Sequence, residues 1–255
     1  MEWTDEDSIE GSVIERGFCC MRAENATAQP PGGTRAIPGV LWRPVQSGSP
    51  RPLILLGHGG SGHKRNERMV MLGRMFSESF GWLAASIDGP VHGDRGPVSD
   101  PTHPAYSAMW STGDPVGDMI SDWTCVLDAL CERADVDAAK VGYWGLSMGT
   151  MFGLPLVASE RRIRAAVLGK AGMSGTSVDR SGIDTYFEKY AGQVRQPVLF
   201  TMQWDDERFE RDGQLSLFDR LGSADKRLQA YPGKHVDNGP GAFESQADFL
   251  ARYLA

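Results

Sequence analysis

The amino-acid sequence predicts an α/β protein whose core is a mostly parallel, doubly wound sheet of about eight strands, flanked by helices. From residue 52 onward, short apolar runs alternate with helix-length amphipathic segments, as in chains that form parallel sheets. Before that point, segments 12–22 and 34–44 are typical of an antiparallel strand pair. We therefore expect a single domain over residues 1–255, with residues 1–50 as its antiparallel lead-in.

Six apolar runs supply the remaining strands of the predicted sheet. None exceeds seven residues and each is apolar almost throughout, as expected of strands that are buried on both faces. They cover residues 52–57, 82–88, 140–146, 164–170, 197–203 and 226–232. Pro/Gly-rich stretches at 28–34 and 44–52 predict turns on either side of the second antiparallel strand.

The helices are predicted from apolar residues at helical spacing. The clearest helix spans 115–133, where Asp114 suits the N-cap and Pro115 the first helical position. Four others are expected at 66–79, 148–159, 211–222 and 241–254. The segment between the strands at 164–170 and 197–203 has room for one helix, at 184–192, so no large cap domain is expected.

Composition excludes several classes of protein. A net charge of −7 without a Lys/Arg cluster argues against a nucleic-acid partner. The chain has neither an 18-residue apolar run nor a basic, apolar start, so we expect a cytoplasmic protein without a membrane partner. Composition leaves the choice between a monomer and a homodimer open. The spacing of the four cysteines fits neither zinc nor redox chemistry, and we expect reduced thiols at Cys19, Cys20, Cys125 and Cys131.

A glycine-rich turn follows the first parallel strand and has two interpretations. Gly57, Gly59 and Gly62 spell G-x-G-x-x-G, the pattern with which dinucleotide-binding units hold a pyrophosphate. The same turn could instead point backbone N–H groups at the oxyanion of an acyl-transfer reaction. The rest of the sequence decides between the two.

A second motif indicates nucleophilic catalysis. The segment Gly145-Leu146-Ser147-Met148-Gly149 lies between a predicted strand and a predicted helix, which is the context of a G-x-S-x-G nucleophile elbow. In this turn a side chain at either glycine would collide with neighbouring backbone. The sequence therefore predicts Ser147 as the nucleophile.

A serine nucleophile needs a base and an acid that orients the base. In proteins with this elbow the histidine base follows the serine in sequence, and of five histidines only His235 does so. An acid is expected at the end of the strand at 197–203, where Asp205, Asp206 and Glu207 are adjacent. The spacing of these residues leaves the choice among the three acids open.

Five segments, in this order along the chain, resemble those of the α/β-hydrolase superfamily, and within it the small dienelactone-hydrolase-like and carboxylesterase-type members. They are HGG at 58–60, SIDGPVHGDR at 86–95, GLSMG at 145–149, QWDDERF at 203–209 and PGKH at 232–235. The resemblance covers about residues 50–254 and implies the α/β-hydrolase fold. It further implies the nucleophile, base and acid roles for Ser147, His235 and Asp206, with oxyanion donors in the N–H groups of Gly60 and Met148.

The sequence therefore predicts a serine hydrolase that cleaves small or medium carboxylic esters through an acyl-enzyme, without cofactor or metal. Cleavage of lactones, thioesters or amides by the same residues is one alternative, and a non-catalytic binding protein is another. A dinucleotide unit explains neither the elbow nor the late histidine, and Asp88 lies beyond the usual spacing of a ribose-binding acid. The polar residues around the first turn lack metal-ligand spacing; they are His58, His63, His92 and Asp94.

Two regions are candidates for the wall of the substrate pocket. The predicted loop 95–117 carries Tyr106, Met109 and Trp110, and loops of that length are commonly functional. Residues 173–187 form the other candidate, in which Met173, Tyr186 and Phe187 either face the pocket or belong to the core. We expect Tyr106, Trp110 and Met173 to contact the substrate.

Overall fold

A computed structural model describes residues 1–23, 34–46 and 48–255 of the chain. In chain order, strands β1 to β10 are Glu2–Trp3, Ser8–Glu10, Val13–Ala23, Thr34–Pro44, Arg51–Gly57, Leu83–Ile87, Val136–Gly145, Ile163–Gly169, Val198–Gln203 and Lys226–Tyr231. Helices α1 to α8 are Glu67–Ser79, Pro104–Ser111, Pro115–Cys131, Met148–Ser159, Thr176–Ser181, Ile183–Tyr190, Arg211–Arg220 and Ala242–Leu254. Single 3₁₀ turns lie at Gly93–Arg95 and Ala191–Gln193.

All the described strands belong to one mixed sheet. Its order is β1-β3-β4-β6-β5-β7-β8-β9-β10. Strand β2 pairs with β3 at residues 13–15, and β1 pairs with β3 at residues 18–19. The six strands from β5 onward are mutually parallel, whereas β3 is antiparallel to β4 and β4 to β6. The α/β class and the doubly wound order are therefore confirmed.

The strand count differs from the sequence prediction. The sheet has ten strands in place of about eight, because β1 and β2 add two short strands at the N-terminus. They are two and three residues long, and the three residues of β2 are all exposed. Strands this short and exposed leave no apolar pattern in the sequence.

The five helices expected outside the 170–197 segment form within two residues of the predicted bounds, but two segments differ. The predicted loop 95–117 contains α2, where Pro104 occupies the first turn and the side chain of His103 accepts the N–H of Ala105. Two short helices, α5 and α6, replace the single helix expected near 184–192, because Gly182 adopts a left-handed conformation (φ +63°) between them. Neither change builds a large cap.

Helices cover both faces of the sheet, which explains why the parallel strands β5 to β9 are mainly apolar. The edge strand β10 differs from the sequence expectation, because it has the sequence KRLQAY and none of its residues is buried. On one face α1 and α8 bury Leu72, Phe76 and Leu250. On the other face α3 and α4 bury residues such as Trp123 and Leu154. The edge of the sheet where the parallel strands end stays accessible, and the site described below lies there.

A buried carboxylate joins the antiparallel lead-in to the parallel part of the sheet. Asp122 of α3 is fully buried and accepts hydrogen bonds from Arg22 of β3 (2.8 Å), Arg35 of β4 (3.0 Å) and Arg95 (2.9 Å). A buried charge is tolerated only when it is paired in this way. The cluster fixes the lead-in and the loop after β6 to the same helix.

Two further sequence expectations concern the thiols and the turns. The structure has the thiols of Cys19, Cys20, Cys125 and Cys131 free. The predicted turn over residues 28–33, and Ser47 of the second predicted turn, lie outside the described residues.

Within the described ranges no helix is both long enough and apolar enough to cross a membrane.

Candidate active site

Ser147 lies on a sharp turn between β7 and α4, at the edge where the parallel strands end. Its backbone has φ +60° and ψ −120°, a conformation that residues other than glycine rarely adopt. A Cβ atom at Gly145 would lie 2.8 Å from the carbonyl oxygen of Gly149, and one at Gly149 would collide with the carbonyl of Gly57. The two glycines of the motif are therefore required by the close approach of β5, β7 and α4.

His235, in the loop after β10, stands between Ser147 and Asp206. Its Nε2 lies 2.8 Å from the Ser147 hydroxyl oxygen, and its Nδ1 lies 2.8 Å from a carboxylate oxygen of Asp206. An ionised carboxylate accepts hydrogen bonds only, so Nδ1 carries the proton and Nε2 is left to accept the serine proton. The imidazole is thereby held as the tautomer that a base for Ser147 requires.

Of the adjacent acids after β9, the structure brings Asp206 to the imidazole. The side chain of Asp206 is fully buried, and its second oxygen accepts the N–H groups of Arg208 and Phe209. Burial opposes ionisation, but the hydrogen bonds from His235 and these N–H groups outweigh it and lower the pKa of the carboxyl. Asp205 points outward, with 67% of its side chain exposed near Arg211.

The loop that carries His235 is held by a buried lysine that sequence reasoning missed. Lys170 directly follows β8, is 1% exposed, and its ammonium donates to the carbonyls of His235 (3.0 Å) and Asp237 (2.5 Å) and to Oδ1 of Asn238 (2.9 Å). From the other side, Glu207 accepts the N–H of His235. A single lysine directly after the apolar run 165–169 is the signal that could have identified it.

The buried position of the Lys170 ammonium lowers its pKa. Burial, together with the nearby Arg68 guanidinium, lowers its pKa from 10.5 to about 8, although Asp206 and Asp237 oppose the shift. The charge that orders the loop is therefore lost at moderately alkaline pH.

The turn after β5 is stiffened by two buried histidines. His58 accepts the N–H of Gly89 at Nε2 and therefore donates from Nδ1 to the carbonyl of Gly59, and burial lowers its pKa to about 4. His92 contacts the carbonyl of Gly60 at 3.0 Å. Within the described part of the chain the N–H of Gly60 has no hydrogen-bond acceptor, and neither has that of Met148, the first residue of α4.

The groups that suggested a nucleotide or metal site are engaged elsewhere. Asp88 is buried and accepts hydrogen bonds from the backbone and ammonium of Lys64 and from the N–H of Asp94. A Cβ at Gly57 would collide with the Tyr143 hydroxyl, so that glycine serves internal packing. In residues 1–23, 34–46 and 48–255, no group of three or more His, Cys, Asp or Glu side chains could hold a metal ion.

Two cavities meet at Ser147. The larger, about 380 Å³, is also lined by His235, and the smaller, about 170 Å³, is lined by Tyr106 and Met151. Gly60 lines both cavities, as does Arg208.

The other candidate pocket residues lie in different surroundings. Trp110 is buried with its ring stacked on Phe152 at 5.0 Å, and Met173 packs against the core. Phe187 is a core residue, whereas the hydroxyl of Tyr186 donates to Asp114. Of the three residues expected to contact substrate, Tyr106 alone thus borders one of the two cavities at Ser147 in the described part of the chain.

A sheet of this order with a serine on the turn after its central strand is the arrangement of α/β hydrolases. No family model and no curated protein matches the sequence. Among solved structures, the chain is similar to a cold-adapted esterase from an Arctic intertidal metagenomic library in complex with polyethylene glycol, with 35% identity, full coverage of both chains and a TM-score of 0.85. The zinc-bound structure of such an esterase gives 34% identity, full coverage of both chains and a TM-score of 0.80.

The chain therefore belongs to the α/β-hydrolase-fold esterases, which are carboxylic ester hydrolases. The acetyl xylan esterase from Paenibacillus sp. R4 shares the fold at 18% identity, with a TM-score of 0.73 over 99% of this chain and 88% of that one. The superfamily expected from the sequence motifs is confirmed.

Replacing Lys170 by methionine should lower kcat for ester hydrolysis about tenfold or more, with a smaller change in KM, because the His235 loop loses its three hydrogen bonds. In the wild-type protein kcat should fall above about pH 8, as Lys170 loses its proton, whereas Lys170→Arg should move that decline to higher pH. Steady-state kinetics from pH 6 to 10 measure both effects.

As pH rises above about 8, the unfolding free energy should rise while kcat falls. This difference separates a loss of loop positioning from a loss of folded protein. The pKa of Lys170 in the folded protein, about 8, lies below its usual 10.5. Between these two pH values the unfolded chain therefore binds more protons at this group than the folded protein does. The contribution of Lys170 to the unfolding free energy consequently rises with pH in that range. Lys170→Met with unchanged kcat and an unchanged alkaline decline would contradict the positioning role.

Proposed function

We propose that this esterase cleaves esters of short acyl groups through a covalent acyl-enzyme on Ser147. The observation that carries the proposal is the continuous hydrogen-bonded chain from the Ser147 hydroxyl through His235 to Asp206, at 2.8 Å for each step. A serine hydroxyl is a weak nucleophile until a base removes its proton, and this chain supplies the base together with the carboxylate that stabilises it when charged.

In the first half of the reaction, Ser147 Oγ attacks the ester carbonyl carbon while its proton passes to Nε2 of His235. The negative charge that develops on the carbonyl oxygen is bound by the N–H groups of Gly60 and Met148, which are rigidly held and otherwise unused. The C–O bond of the ester then breaks, the alcohol takes the proton from Nε2, and the acyl group stays on Ser147.

In the second half, water attacks the acyl-enzyme by the same route. His235 takes a proton from the water, the oxyanion forms again at the N–H groups of Gly60 and Met148, and its collapse returns the proton to Ser147 as the acid leaves. The buried, ionised Asp206 stabilises the imidazolium in both halves.

The positions of the two cavities support an assignment of the two parts of the ester. The imidazole must reach the departing alcohol, and it is the larger cavity that His235 lines, so the alcohol portion occupies that cavity. The acyl portion then occupies the smaller cavity beside Tyr106 and Met151. At about 170 Å³ this cavity is close to the size of one that holds a benzene molecule, about 150 Å³.

Ser147→Ala should lower kcat/KM for 4-nitrophenyl acetate by about 10³-fold or more while leaving the melting temperature nearly unchanged. The same substitution should abolish labelling by a fluorophosphonate probe, as mass spectrometry of the intact protein would detect. Ser79 is an exposed serine at the end of α1, and Ser79→Ala serves as the control. This variant should keep both ester hydrolysis and labelling by the probe. Labelling of the wild-type protein at a residue other than Ser147, or its absence, would refute the proposal.

The two adjacent aspartates provide a matched pair. Asp206→Asn should lower kcat by about 10²- to 10⁴-fold at neutral pH, because an amide favours the wrong imidazole tautomer and no longer stabilises the imidazolium. Asp205→Asn should cost less than about tenfold, because its carboxylate faces solvent and Arg211. Measured at saturating substrate, a severe loss at Asp205 with a mild one at Asp206 would reverse the assignment.

The small acyl cavity predicts a preference for short chains. Along a series of 4-nitrophenyl esters, kcat/KM should be highest between acetate and about hexanoate and fall at least about tenfold by dodecanoate. Met151→Ala should move the optimum to longer chains, whereas Val236→Ala, on the other cavity, should not. An optimum at long-chain triglycerides, with a jump in rate above the micellar limit, would contradict the assignment.

A further inference from the structure

The larger cavity is cationic, although the whole chain carries a net charge of −7. Three elements bring positive side chains to its lining: Arg68 from α1, Lys170 from the end of β8 and Arg208 from the loop after β9. Among the described residues, Glu67 is the one acid in that lining, and it is exposed. No step of ester hydrolysis described above uses the charge of Arg68 or Arg208.

These three cations differ in what their charges contact. The ammonium of Lys170 already has three oxygen partners. Among the described residues, the Arg208 guanidinium has one carboxylate within 4 Å, that of Glu207 at 3.8 Å. Arg68 is half-buried, and within the described part of the chain its guanidinium makes no hydrogen bond or ion pair, lying only near the ring of Phe243 at 6.0 Å.

The surroundings of Arg68 are therefore unfavourable for a cation in the free protein. Burial lowers the pKa of its guanidinium, with no carboxylate close enough to compensate. Partial burial of an unpaired charge costs free energy that a bound anion would recover, and guanidinium groups bind carboxylates through two parallel hydrogen bonds. Arg68 lines the same cavity as Ser147, so an anion bound there could pair with its charge.

We propose that the larger cavity recognises a carboxylate on the alcohol portion of the ester, held by Arg68 with Arg208 beside it. This inference rests on the proposed function, which places the alcohol portion next to His235. The substrates it selects are acyl esters of hydroxy acids, such as acetylated hydroxybenzoates. Their hydrolysis releases a hydroxycarboxylate and a short-chain acid.

Two acetyl esters that differ in the charge of one carboxyl group and in its methyl group test the proposal. 4-Acetoxybenzoate carries the carboxylate on its alcohol portion, and methyl 4-acetoxybenzoate is its neutral counterpart. We expect kcat/KM to favour the anionic ester by about tenfold or more, chiefly through a lower KM, because a charge-assisted hydrogen bond contributes a free energy of this order. The preference should shrink as sodium chloride is raised from 10 mM to 500 mM. Equal kcat/KM values for the two esters would overturn the proposal.

Variants of Arg68 identify the residue responsible. Arg68→Met should remove the preference, measured as the ratio of kcat/KM for the anionic ester to kcat/KM for the neutral ester, while Arg68→Lys should retain part of it. Arg74→Met, on the same helix but paired with Glu10 at the surface, should keep the preference. If Arg68→Met lowers hydrolysis of both esters equally, Arg68 does not recognise the charge.

Binding without turnover separates this inference from the proposed function. Calorimetry with Ser147→Ala should show tighter binding of 4-hydroxybenzoate than of its methyl ester, and the added Arg68→Met substitution should remove the difference. Should neither acetyl ester be hydrolysed while the anion still binds through Arg68, the proposed function fails and the anion site stands. Should the neutral ester be hydrolysed with no preference for the anion in either assay, the anion site alone is refuted.

Discussion

The close approach of β5, β7 and α4 around Ser147 is the constraint on which the rest of the site depends. It is possible only because Gly57, Gly145 and Gly149 leave no side chain between the backbones, and it holds Ser147 in a strained conformation. In this turn conformation the Ser147 hydroxyl lies above the edge of the sheet, and α4 begins directly after Ser147. The surrounding core, apolar on both faces of the sheet, supplies the stability that keeps the turn in this shape.

Buried charges fix the remaining parts of the site relative to that turn. Asp206 orients His235, Lys170 holds the loop that carries His235, and the Lys64–Asp88 pair fixes the turn after β5. Each of these charges has compensating partners, and each pair joins segments that are far apart in sequence. Arg68 departs from this pattern, because its guanidinium has no such partner among the described residues.

The sequence was sufficient to predict the features that depend on local spacing. Apolar runs located all six parallel strands, and the G-x-S-x-G motif together with chain order selected Ser147 and His235. The choice of Asp206 among three adjacent acids came from the family resemblance, and the structure joins it to His235 by a hydrogen bond. It could not predict β1 and β2, since exposed strands of two or three residues have no periodicity. The packing of Trp110 on Phe152 and the contacts of Lys170 depend on which distant segments meet, and local spacing along the chain does not reveal that.

The two cavities have a consequence for how selectivity can change. They share Ser147, Gly60 and Arg208 but have otherwise separate linings in the described part of the chain. Where the substituted residues of the two walls share no contacts, their effects on transition-state free energy should add. Under the proposed assignment of the two cavities, acyl and alcohol preference can therefore diverge independently in related chains. Of the three shared residues, Arg208 is the one whose side chain takes no part in the proposed chemistry. A change there alters both walls at once and couples the two preferences thermodynamically.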